Sequence, residues 1–236
     1  MPNRTYADFL HLDDVLGMIT PSTPQDDHRV HAAEHFFLVA HQTSELWLKQ
    51  VLLDLVEAVR AASAPGRDLE QAAQYVDRAA EVIRLLAAHV AALRRLTPAD
   101  FAKFRPAFGN ASGAQSVQFQ RLQHALGLSS QPSPLYRELI AATAERRTSL
   151  EMIYRQAPHG GALYRLAESM ADLSLAAWHW QVDHLDTVSR VIGRVPGTGG
   201  TSGANYLANH MEPPFPELWE ARSRVHQRDG GTQCPH

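Results

Sequence analysis

The sequence predicts an all-α fold, a helical bundle. Three observations carry this. Apolar residues recur at helical spacing through four long stretches, glycine and proline stand at the ends of those stretches, and no apolar–polar alternation is long enough to make a strand. With 236 residues, 44% of them apolar and 20% charged, the chain can bury one sizeable core, so residues 1–236 are expected to form one domain.

Taken in order, residues 1–24 form a short, partly helical segment whose apolar members are Tyr6, Phe9, Leu10 and Leu12. Residues 34–62 read as a long helix with Phe37, His41, Ser44, Leu48, Val51 and Leu55 on one stripe, stopped by Ala64-Pro65-Gly66. Residues 68–96 form a second, with Leu69, Ala72, Val76, Ala79, Ile83, Leu86, Val90 and Leu93 inward. Thr97 then caps a helix with Pro98 in its first turn. Ser112 and Gln115 have the spacing of a capping box, opening a helix that reaches Leu126 and ends at Gly127. A linker with two prolines leads to a helix over 134–155. After residues 157–161 the last long helix, 162–192, carries the stripe Leu173, Ala177, Trp180, His184, Val188 and Val191 and stops at Gly193.

Composition removes several classes of function. A net charge of −3 offers no electrostatic case for nucleic acid or an anionic membrane surface. The one cysteine, Cys234, lies in a polar tail over 229–236 that is expected to be flexible, so no disulfide can form within the chain. No apolar run of eighteen residues and no leader-like N-terminus occurs, which predicts a cytoplasmic protein.

The chemistry that remains rests on histidines. The paired Glu-x-x-His motifs of a di-iron bundle are missing, as are His-Glu-x-x-His and a Gly-x-Ser-x-Gly elbow. A haem needs only one imidazole on a helix beside an apolar cavity. His184 could serve, although a lone histidine on an apolar stripe is more often a hydrogen-bonded core residue than a ligand. The glycine-rich run Gly197 to Gly203 supplies backbone N–H groups and two threonine hydroxyls, which suits a polar ligand; by composition alone it reads as a flexible surface loop.

Four blocks give this pattern a sharper meaning: Tyr6 to Asp13, His41 to Lys49, Phe104-Arg105 with Ser112 to Phe119, and His184 with Arg190, Ile192-Gly193, Gly197 to Gly203 and Tyr206-Leu207. Together they resemble the tryptophan 2,3-dioxygenase family, in the family's order and over most of the chain. The resemblance implies a helical bundle enclosing a b-type haem, with His184 as axial ligand and Asp183 or a carbonyl holding its other nitrogen. It implies that His41 bonds the indole N–H of the substrate, that Phe37 packs on the indole, that Arg105 binds the carboxylate, and that Phe101 is the substrate-site aromatic beside Arg105. Thr198 would contact the amino group, and Ser112 and Gly113 would line the haem edge. In the family, residues matching Tyr6 and Leu10 complete a neighbouring subunit's pocket within a homotetramer, which makes 1–24 an intersubunit segment.

The activity so implied is insertion of both atoms of O₂ across the indole C2–C3 bond of L-tryptophan, or of a substituted tryptophan, to give N-formylkynurenine without an external reductant. Two alternatives stand beside it. Relatives of the same fold insert one oxygen to make an oxindole in natural-product biosynthesis, and a non-catalytic haem sensor could keep the site. His41, Arg105 and Thr198 together argue against the sensor, which has no use for an amino-acid clamp. The chain departs from the family in having Ala114 where an aromatic is usual, and in a shortened 127–161 region.

Overall fold

The computed structural model describes residues 4–157 and 159–227. The flexible tail expected over 229–236, with Cys234, lies outside them. Among the described residues the regular structure is helical: α1 (Tyr6–Leu10), α2 (Leu12–Gly17), α3 (His28–Ala62), α4 (Leu69–Ala92), α5 (Pro98–Phe104), α6 (Val117–Ala125), α7 (Pro134–Glu145), α8 (Leu150–Arg155), α9 (Gly161–Ile192), α10 (Ala204–Asn209) and α11 (Pro216–Gln227), with short 3₁₀ turns between some of them. None of the helices is long and apolar enough to cross a membrane.

The frame is α4 packed between α3 and α9. Small residues make the approach close. Ala72, Ala73, Ala79 and Ala80 of α4 and Ala167, Ala171, Ala176 and Ala177 of α9 are all buried, with Val76, Ile83, Leu166, Met170 and Leu173 filling between them. Asp54 of α3, wholly buried, accepts from Arg78 Nε at 3.0 Å and from Gln50 at 2.9 Å, so its charge is compensated.

Several boundaries differ from the sequence expectation, each for a local reason. α3 begins six residues earlier than the Phe37 stripe suggested, because Asp27 caps Val30 N–H and both Val30 and Glu34 are buried. Ser112 and Gln115 do form the capping box, but it supports only the 3₁₀ turn Gly113–Gln115; Ser116 then caps α6. The expected helix over 134–155 is broken into α7 and α8, with Arg147 at φ 51 between them and Ser149 capping α8. α10 and α11 had not been expected. α11 is held by Phe215, fully buried, whose N–H donates to the Leu126 carbonyl at 3.2 Å, and by Trp219, whose indole N–H donates to Ser174 at 3.1 Å.

The core comes in two clusters. The larger runs along α3, α4 and the first half of α9 and takes in α6, α7, α8 and α11. The smaller joins Val30 and Ala40 of α3, Leu93, Leu96, Phe101 and Phe104, and Val191 near the end of α9. Along α3, His41 falls between the two, after Ala40 and before Leu48. Along α9, His184 does the same, between Ala177 and Val191.

Candidate functional site

The two histidines belong to the gap between the clusters, near enough for His41 to bear on the protonation of His184. Both rings keep open surface although protein surrounds them, as befits side chains lining a cleft. Burial pushes the His184 imidazole down to about 4, and the nearby His41 opposes its protonation further. Burial also lowers His41, against the opposing pull of the Phe37 carbonyl and Glu45. Both are therefore neutral near pH 7. Among the described residues neither ring nitrogen of His184 has a hydrogen-bond partner. Asp183, offered by the sequence as its holder, is engaged instead by Arg94 of the 3₁₀ turn after α4.

His41 is oriented by its own helix. Its Nδ1 lies 2.8 Å from the Phe37 carbonyl oxygen, which can only accept, so Nδ1 carries the proton and Nε2 is left with a lone pair. The Phe37 ring lies 3.9 Å from the His41 ring and is surrounded by Phe101 and Phe104, both at 5.7 Å, and Phe108 at 5.0 Å. An acceptor nitrogen set against a wall of phenyl rings suits a flat, apolar molecule with one N–H donor.

Arg105 and Thr198, 93 positions apart in the chain, line one cavity of about 380 Å³ with Ala102, Pro106 and Gly109. The Arg105 Nη2 donates to the Pro196 carbonyl, and the Thr198 hydroxyl donates to the Ala111 carbonyl at 2.5 Å. With its proton so used, the Thr198 oxygen presents lone pairs, to which an ammonium N–H can donate. The glycine-rich segment is packed and specific in shape. A Cβ on Gly199 would stand 2.6 Å from Ser112 Cβ, and Gly203, at φ 64, lies so close to the Val195 carbonyl that a Cβ would be 2.7 Å from it. Ser112 thus sits beneath the loop while capping its own turn, and the space beside Gly113 is open.

Tyr6 and Leu10 are not brought to this cleft by their own chain. α1 packs on α2, buries none of its residues, and leaves Tyr6 76% and Leu10 39% exposed. Three features were not anticipated. Phe104 and Phe108 complete the aromatic wall, and the i, i+3, i+7 spacing from Phe101 could have signalled them. Trp180, one turn before His184, packs edge-on against Phe119 at 5.8 Å with its indole N–H buried and unpartnered. The third is the grip of Arg94 on α9.

The family profile described as tryptophan 2,3-dioxygenase matches residues 1–153 and 137–225. The chain belongs to the tryptophan 2,3-dioxygenase family. It is similar to the tryptophan 2,3-dioxygenases of Caulobacter vibrioides (32% identity, over 94% of this chain and 99% of the relative), Ruegeria pomeroyi (33%, over 93% and 92%) and Kineococcus radiotolerans (33%, over 94% and 91%). The first alignment spans 268 positions, more than this chain possesses, so that relative carries residues missing here. The two profile matches overlap at 137–153, within the stretch that the sequence marked as shortened.

Tryptophan 2,3-dioxygenases are haem-dependent, and the residues here fit such a group. His184 offers a neutral imidazole with both nitrogens free, which is the donor one face of a haem iron requires. The buried, unpartnered N–H of Trp180 on the same stripe lacks an acceptor from the protein, and a buried donor normally has one. The open space beside Gly113 adds room at the edge.

Proposed function

We propose that this chain is a tryptophan 2,3-dioxygenase: a b-type haem held by His184, and O₂ inserted across the indole C2–C3 bond of L-tryptophan or a substituted tryptophan to give N-formylkynurenine. One observation carries the reading: His41 is an oriented acceptor against phenyl rings, close to His184, whose ring nitrogens have no hydrogen-bond partner among the described residues. Haem iron bound at His184 would supply the activation of O₂.

The protein's part is placement. His41 Nε2 accepts from the indole N–H, and Phe37 and Phe101 pack on the ring and exclude water. Arg105 pairs with the substrate carboxylate, for which its planar fork is suited, while Thr198 accepts from the ammonium group. Ser112 and Gly113 line the haem edge under the glycine loop. The relatives above all carry the dioxygenase name, so the oxindole-forming alternative is not favoured. The assay is direct. Reduced, haem-loaded protein with L-tryptophan and O₂ should yield a product heavier by two oxygen atoms, absorbing as a formylkynurenine; a gain of a single oxygen would overturn the reading.

The domain is read as one haem-binding unit whose segment 1–24 serves a neighbouring copy in a homotetramer. The exposed Tyr6, Phe9 and Leu10 on a helix that buries nothing support this. Removing residues 1–16 should weaken both assembly and substrate binding, and a fully active monomer would refute it.

A further inference from the structure

Arg94, in the 3₁₀ turn that closes α4, reaches three side chains of α9. Its Nη2 donates to Asp183, and its Nε pairs with Asp186 Oδ2 at 3.0 Å and donates to Thr187 Oγ1 at 3.3 Å. Thr187, 4% exposed, donates its own proton to the Val90 carbonyl at 3.1 Å, which carries the grip back into α4. These three residues stand one before His184 and two and three after it. In a helix advancing about 100° per residue they share one face, roughly a quarter turn round from His184.

The direction of an imidazole on a helix depends on its own rotamer and on the rotation of the helix about its axis. No hydrogen bond among the described residues holds the His184 ring, so rotation is what the fold itself must fix. A guanidinium bonded to three side chains of a single turn resists rotation in both senses. Arg94 is itself well seated: its neighbours Leu93 and Leu96 belong to the cluster that contains Phe101 and Phe104 and against which Phe37 packs. The turn carrying His184 is thereby referenced to the aromatic wall beside His41.

We propose that Arg94 is a positioning residue, setting the azimuth of the α9 turn that carries His184 and so the direction from which that imidazole meets the iron of a bound haem. The proposal rests on reading His184 as the axial ligand. Partners that orient a ligand from outside the coordination sphere commonly change metal affinity 10–100-fold when removed.

The test uses the reduced, substrate-free holoenzyme. Two quantities are read: the iron–imidazole stretching band in the resonance Raman spectrum, and the rate of haem loss to excess apomyoglobin. Arg94→Gln should shift or broaden the band and speed haem loss about tenfold or more. Arg94→Lys, which keeps the charge but loses the fork, should fall between. Arg165→Gln is the control. Arg165 also ties α9 to α4, through Glu70 at 3.2 Å and Asp77 at 3.6 Å, but about five turns from His184. It should leave band and loss rate as in the wild type. If Arg94→Gln behaves like the wild type, or if Arg165→Gln disturbs both quantities equally, the proposal is wrong. Should Arg94→Gln fail to fold, Thr187→Val is judged by the same two readings. A wild type without the band, or a His184→Ala protein that retains it, would instead overturn the ligand assignment.

Discussion

α9 is one continuous helix, yet its two halves live in different surroundings. From Leu163 to Ala177 ten side chains are buried, among them Leu166, Ala167, Met170 and Leu173; from Trp178 to Ile192 only Thr187 and Val191 are. The apolar stripe continues through both halves. The first half meets α4 with small residues at close range, whereas the second faces the cleft with His184 and is tied to its neighbour by the ion pairs of Arg94. A helix whose pattern asks for burial over its whole length, and obtains it within its own chain over half, leaves its second half open to a ligand or to a second copy of the chain.

The largest effect expected from that contrast is at His184. His184→Ala should abolish stoichiometric haem binding and activity, while the haem-free protein unfolds within about 2 °C of the haem-free wild type, since the side chain fills no packed core. Absorbance titration with haem and thermal scans of both forms decide it; retained stoichiometric binding would show that this half of α9 does not hold the haem.

In the first half the outcome should reverse. Leu166→Ala removes a fully buried side chain and should cost about 2–5 kcal/mol, lowering the melting temperature by roughly 5–15 °C. Haem bound per folded chain should stay the same. A loss of haem with no loss of stability would mean that the two halves are not separate in role.

A third test concerns the smaller cluster, where Glu34, 3% exposed, anchors the segment before α3. Burial pushes its carboxyl up, but Ser22 and Thr23 each donate both backbone N–H and hydroxyl to it, at 2.5–2.9 Å, and hold it at about 2 against 4.5. With the folded value below the unfolded one, Glu34 stabilises the fold above pH 4.5, and that contribution fades as pH falls from 4.5 toward 2. Acid titration of Glu34→Gln should show a flatter stability profile across this window; an unaltered profile would remove Glu34 from the account.

The smallest effect concerns Ala114, which is exposed and donates its N–H to Ser112, where the family pattern has an aromatic. If the missing volume is taken up by ligand, the enzyme should prefer β-methyltryptophan over tryptophan, within the roughly 10–200-fold that one methyl group allows, and Ala114→Phe should reduce the preference. The ratio of kcat/KM values measures this. An unchanged ratio in the mutant would separate Ala114 from substrate choice.

Features decided by a few neighbouring residues were legible in the sequence. The cap at Thr97, the capping box of Ser112 with Gln115, the stop at Gly193, the stripe of α4, and the buried members of the α3 stripe (Leu48, Val51, Leu55) and of the α9 stripe (Leu173, Ala177, Val191) all depend on spacing within one or two turns, and the structure has them. His41 above Phe37 belongs with these, because i and i+4 share a helix face whatever the rest of the chain does. Tertiary structure decided what depends on distant residues. The pairing of α8 with α11, and the hydrogen bond that anchors Phe215 to Leu126 from 89 positions away, have no local signal. Arg105 and Thr198 on one cavity, and Asp183 bound to Arg94 rather than to His184, join residues about 90 positions apart. Which partner a charged group takes depends on what the fold brings within about 3 Å of it, and periodicity along the chain carries no information about that.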